Sequence, residues 1–151
     1  MTVQMQMGKA ELRFFGWHIY TATLFASGSF HPRQYAQTPL LLTIDYYRKL
    51  EGRLIAERSL LEMRRQGKIN SNTASAWLDL MTKAFPNVVQ GDRLSGQTDG
   101  KGAVAFMHNE AVTAQTQDAD FAQRFFGIWL GEATSAPEMR RQLLGEQKES
   151  L

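Results

Sequence analysis

The apolar residues of this chain switch from a period of two to a helical period at Gly52, and that change limits the folds open to it. Before Gly52 they alternate. Leu12 and Phe14 interleave with Arg13 and Phe15, Trp17 to Phe25 continues with aromatic and β-branched residues, and Leu40, Leu42, Ile44 and Tyr46 oppose Leu41, Thr43, Asp45 and Tyr47. Period two with this composition predicts strands, each with one face turned to a core. Gly16 is expected as a bulge or bend, and Gly28, Pro32 and Pro39 mark Ser27 to Pro39 as a loop.

After Gly52 the spacing is helical, with Ala56, Leu60 and Met63 on one side and Glu57, Arg58, Glu62, Arg64 and Arg65 over much of the remainder. Gly67 fits the end of that helix. A second helix carries Ala74, Trp77, Leu78, Met81, Ala84 and Phe85 at offsets 0, 3, 4, 7, 10 and 11. Asn70 or Ser71 can cap it, and Pro86 stops it.

Strands then return. Asp92–Gln97 and Ala103–His108 flank Thr98-Asp99-Gly100-Lys101-Gly102, a hairpin connection in which glycine supplies positive φ, and Asn109-Glu110 turns into Ala111–Gln115. Asp118 caps a third helix with Phe121, Phe125, Ile128 and Trp129, closed by Gly131. Ser135-Ala136-Pro137-Glu138 reads as a capping box for a short helix ending at Leu144-Gly145. The tail from Glu146 to Leu151 is expected to fray. Strands, two helices, strands, two helices is an α+β order with an antiparallel sheet, in one domain over 1–151.

Composition removes whole classes of function. A 43% hydrophobic, 21% charged chain of 151 residues buries a real core. Seventeen basic against fifteen acidic residues leave a net charge of +2, too even for overall charge to drive binding to nucleic acid or to an anionic membrane. Without cysteine there is no disulfide framework, thiolate metal site or cysteine nucleophile. His18, His31 and His108 are isolated, so no metal or other cofactor is expected. Gly91-Asp92-Arg93-Leu94-Ser95-Gly96 lacks the G-K-[ST] of a phosphate loop, and Ser27-Gly28-Ser29 is a loop rather than a nucleophile elbow. No stretch has the ~20 apolar residues of a transmembrane helix. Met1–Met7 has neither the basic nor the apolar region of a signal peptide.

Three ordered segments carry a family resemblance: Phe14-Phe15-Gly16-Trp17-His18-Ile19-Tyr20-Thr21-Ala22; Leu42-Thr43-Ile44-Asp45-Tyr46-Tyr47-Arg48 leading into Ile55-Ala56-Glu57-Arg58-Ser59; and Phe121 to Gly131, with Leu143-Leu144-Gly145 behind. Together, over Gly8 to Gly145, they resemble the bacterial chalcone isomerase-like proteins. The resemblance implies an open-faced, curved antiparallel sheet packed against a layer of helices. It also implies a periplasmic protein whose export signal is absent from these residues, with a cytoplasmic location left open.

The plant isomerases of that superfamily use an early-strand arginine, a strand threonine and a polar residue in the late helix. Arg13 falls near the first, but the other two fall near Phe15 and Ile128, both apolar, so the isomerase constellation is not reproduced. Other members are carriers in which an arginine and a tyrosine grip a fatty-acid carboxylate. Burying about ten methylenes yields roughly 8 kcal/mol gross, while the charged head needs a cation and hydrogen bonds. The candidate ligand-binding pairs are Arg13 with Tyr20 and Arg58 with Tyr46. The expected function is non-catalytic binding of a small amphipathic or acyl ligand between sheet and helices. The alternatives are an isomerase or lyase of a phenolic or enone substrate, with Arg13 and Tyr20 polarising an oxygen, and a ligand-free interaction module.

Overall fold

The computed structural model describes residues 4–146. Six strands, β1 (Met5–Phe14), β2 (Trp17–Ala26), β3 (Leu40–Tyr46), β4 (Arg93–Thr98), β5 (Ala103–His108) and β6 (Ala111–Gln117), form one sheet in the order β1-β2-β3-β4-β5-β6. Every neighbouring pair is antiparallel. Between β3 and β4 the chain leaves the sheet to form α1 (Gly52–Met63) and α2 (Ser71–Ala84); after β6 it forms α3 (Ala119–Leu130) and α4 (Pro137–Leu143). The sheet and the helices make the two layers that the α+β order implies.

Alternation decides which face of the sheet meets the helices. Leu40, Leu42, Ile44 and Tyr46 are all buried, and so are Ala22, Leu24 and Ala26 beside them on β2 and Leu94, Val104 and Phe106 beyond. Phe106 packs edge-on to Phe125 of α3 with ring centroids 4.9 Å apart, and Phe125 meets Phe126 at 5.3 Å. Aromatic pairs in this geometry dominate the centre of the core. Asn70 accepts the amide of Thr73 at 2.8 Å and Asp118 that of Phe121 at 3.1 Å, so both expected caps form. Asp118 also accepts the indole N–H of Trp77 at 3.0 Å, tying α2 to α3.

Several expectations need correction. The loop Ser27–Pro39 contains a 3₁₀ segment, Pro32–Gln37, because Tyr35 is anchored: its hydroxyl donates to the Gln123 carbonyl at 3.0 Å. Gly16 is neither bulge nor bend but half of a two-residue hairpin turn, with φ of 49° at Phe15 and 81° at Gly16. The bulge lies deeper, where Leu12 faces Tyr20 but Arg13 faces His18, leaving Ile19 as the extra residue of β2. Ser135 is not a helix cap. Ala136 occupies that position, and the Ser135 hydroxyl donates to Glu62 at 2.8 Å instead. The residues of the tail beyond Glu146 lie outside those described.

Candidate functional site

Sheet and helices do not close completely on each other. Between them lies a cavity of about 310 Å³, within the range of about 300–1,000 Å³ that small-molecule sites occupy. Leu12, Leu42, Ile44, Leu94 and Phe106 of the sheet and Phe85, Phe125, Ile128 and Met139 from the helical side give it apolar walls. Gly96 forms part of the floor. A Cβ there would touch Phe106 at 3.4 Å and Phe125 at 3.5 Å, so the missing side chain leaves the space open.

The β2 bulge matters to this cavity. Regular alternation would send Ile19 and Tyr20 to opposite faces, but the extra residue lets both line the cavity. The Tyr20 hydroxyl accepts the indole N–H of Trp129 at 3.0 Å. Tyr46, opposite Tyr20 on β3, packs edge-on to it with centroids 5.7 Å apart. Among the described residues the Tyr46 hydroxyl has no hydrogen-bond partner. Burial above all, with Glu62 adding to it, pushes the Tyr20 phenol up to about 12 against the Trp129 hydrogen bond and Arg58, which lower it. Burial, and then Tyr20, raise Tyr46 above the usual phenol range. Both rings therefore present neutral hydroxyls at any physiological pH.

Charge enters from α1. Arg58 Nη2 lies 2.9 Å from Glu62 Oε1, and the two side chains differ sharply in exposure, 68% for the arginine and 10% for the glutamate. The Ser135 hydroxyl takes the other carboxylate oxygen, and Arg65 lies 3.9 Å from it. From sequence, Arg58 and Glu62 at i,i+4 in the charge run Glu57 to Arg65 read as an ordinary solvated helical pair; in the structure the glutamate is buried. Ala56, Ser59, Glu62 and Met63 are all buried, which places Glu62 on the inward side of α1. The signal was its spacing, three residues after Ser59 and next to Met63.

Of the four residues singled out from the sequence, Tyr20, Tyr46 and Arg58 all line the cavity. Arg13 does not. Leu12 points inward, so its neighbour points outward by alternation, and the Arg13 side chain is 54% exposed with its guanidinium 2.9 Å from Glu11. The pairing of Arg13 with Tyr20 therefore fails on register, because the two side chains leave the sheet on opposite faces. Among the described residues no three His, Asp or Glu side chains gather as metal ligands, and no helix is long and apolar enough to cross a membrane.

Residues 13–145 match the family described as chalcone isomerase-like. The chain belongs to that family. An uncharacterized protein of Haemophilus influenzae is 31% identical over 143 residues, which cover 94% of this chain and 68% of the relative. The fold is also that of a solved structure, a fatty-acid binding protein of Arabidopsis thaliana. That structure superposes with a TM-score of 0.68 at 10% identity, over 94% of this chain and 87% of the plant protein. At that identity the likeness speaks for the chalcone isomerase-like fold alone.

Proposed function

We propose that this chalcone isomerase-like domain binds a small amphipathic molecule of the fatty-acid type in the cavity between sheet and helices, without transforming it. The observation that carries the reading is a cavity of about 310 Å³ with mainly apolar walls, among whose polar lining residues are Tyr20, Tyr46, Ser135 and the Arg58–Glu62 pair. An acyl chain gains by leaving water against walls such as Leu42, Ile44 and Phe125. A carboxylate head would meet the Arg58 guanidinium, whose remaining N–H donors are not used by Glu62, and the hydroxyl of Tyr46. The plant neighbour that shares the fold is a fatty-acid binding protein, which fits this assignment.

Two observations weigh against a chalcone-type isomerase. Arg13 and Tyr20 leave the sheet on opposite faces, so they do not converge on one substrate oxygen. The positions that carry a threonine and a polar late-helix residue in the plant isomerases fall here near Phe15, exposed at the hairpin turn, and Ile128, an apolar part of the cavity wall.

The test is displacement of a fluorescent fatty-acid analogue by dodecanoate from the full chain, compared with Arg58→Ala and Arg13→Ala. Arg58→Ala should weaken dodecanoate about tenfold, the scale of one charge-assisted hydrogen bond, and Arg13→Ala should leave it unchanged. Absence of probe binding, or equal losses in the two variants, would sink the reading.

A further inference from the structure

The β1–β2 hairpin ends in Phe14-Phe15-Gly16-Trp17, and these aromatic rings contribute nothing to the core. Phe15 is 88% exposed, and Phe14 and Trp17 are exposed on either side of the turn. The other exposed large apolar residues among those described, Met5, Tyr47, Leu54, Leu61, Val89 and Val112, are scattered along the sequence. Here three aromatics adjoin, with the Phe14 and Phe15 rings edge to face at 4.5 Å.

The backbone makes this arrangement costlier still. Phe15 has φ of 49° in a turn whose two central residues both take positive φ, where Asn, Asp or Gly is favoured. A bulky aromatic in that conformation is an outlier, and strain of this kind is kept where a function uses it. A sequence selected only to close the hairpin would carry Asn-Gly. This chain places a benzyl group there and exposes it.

The surroundings of the tip are cationic. The Arg48 guanidinium sits 4.3 Å over the Trp17 ring, Lys49 follows it in an exposed position, and Arg13 lies at the hairpin base with Glu11 as its ion-pair partner. Exposed aromatics beside Arg and Lys match a bilayer surface, where rings settle at headgroup depth and cations meet lipid phosphates. A second copy would bring cation against cation.

We infer that the Phe14–Trp17 hairpin docks this domain on an anionic phospholipid surface, with Phe14, Phe15 and Trp17 in the headgroup region and Arg13, Arg48 and Lys49 on the phosphates. The docking stands whether or not the cavity takes a fatty acid. Leu12 and Ile19, just behind the turn on the same hairpin, line the cavity.

The test is flotation of the full chain with vesicles of phosphatidylcholine alone or of phosphatidylcholine with phosphatidylglycerol. The wild type should float with the anionic vesicles and be partly released by salt. Phe15→Asn and the double variant Phe14→Ser/Trp17→Ser should each lose about tenfold in vesicle affinity, the scale expected on removing anchoring aromatics. Phe15→Asn should at the same time raise the thermal midpoint, because asparagine suits the turn, so its lost binding cannot come from unfolding. The inference is overturned if the wild type floats with neither vesicle. It is also overturned if Phe15→Asn floats unchanged, if that variant melts lower than the wild type, or if it dissociates a wild-type dimer seen by sedimentation.

Discussion

Trp129 donates its indole N–H to the hydroxyl of Tyr20 at 3.0 Å, joining the end of α3 to the bulged part of β2 across the wall of the cavity. Each partner needs the other, because a buried donor or acceptor left alone costs about 1–3 kcal/mol. Tyr20→Phe and Trp129→Phe should each destabilise the fold. The double variant should cost less than the sum of the two, with a coupling of about 1 kcal/mol in a urea-denaturation cycle. Strict additivity would mean that the hydrogen bond contributes nothing.

Glu62 should work against an anionic ligand, since its carboxylate already holds Arg58 at 2.9 Å. Glu62→Gln preserves an oxygen for the Ser135 hydroxyl and removes the competing charge. Affinity for dodecanoate should rise about tenfold, a modest part of what Coulomb attraction at a partly screened site can supply, while affinity for dodecanol should not move. Calorimetric titration of both ligands checks this. A fall for dodecanoate would show that Glu62 is needed to hold Arg58 in place for the head group and that this outweighs its competing charge.

The fold was legible because burial in this protein follows simple periods. Leu40, Leu42, Ile44 and Tyr46 are inward as alternation requires, and Ala74, Trp77, Met81 and Ala84 as a helix requires. The site was legible only in part, for a reason visible at Ile19. A bulge shifts the phase of a strand by one residue, so Tyr20 faces the cavity while Arg13, across the hairpin, does not. Nothing local in Trp17–Ala26 marks which residue is extra. Glu62 escaped for a related reason. Its i,i+4 spacing from Arg58 is that of an ordinary surface pair, and that pattern masks its place on the buried side of α1 with Ala56, Ser59 and Met63, where Ser135 from a distant segment bonds it.

Raised phenols make the fold sensitive to alkali. Burial pushes Tyr20 and Tyr35 up to about 12 and Tyr46 above the ordinary range, from 10.0 in an unfolded chain. Above pH 10 the unfolded chain has released protons that the folded chain retains, so stability falls as pH rises. The contribution is fully present below pH 10 and is lost progressively from there through about pH 12. Urea midpoints should therefore decline between pH 10 and pH 11, and the decline should be shallower in Tyr20→Phe when each is referred to its own neutral-pH value. An equal slope in both proteins would refute the assignment to Tyr20.

Gly8 is where α4 touches the sheet through backbone alone. A Cβ at this position would stand 2.0 Å from the Gln142 carbonyl oxygen and 2.4 Å from that of Leu143, distances no relaxation of a side chain can relieve. Gly8→Ala must therefore lift α4 from β1. That helix supplies Met139 to the cavity wall and the buried Leu143 to the core, so the cost should reach at least the 1–3 kcal/mol typical of overpacking. Gly28→Ala is the control, since nothing lies within 4 Å of a Cβ there, and it should change stability by no more than about 0.5 kcal/mol. Hydrogen exchange should localise the damage, with faster exchange at the amides of Arg140 and Leu144, which bond within α4, and no change in the β4–β5 hairpin. Equal effects of the two substitutions would mean that α4 does not depend on this close approach. Loss of protection across the whole sheet would mean that α4 holds the fold together rather than closing one side of the cavity.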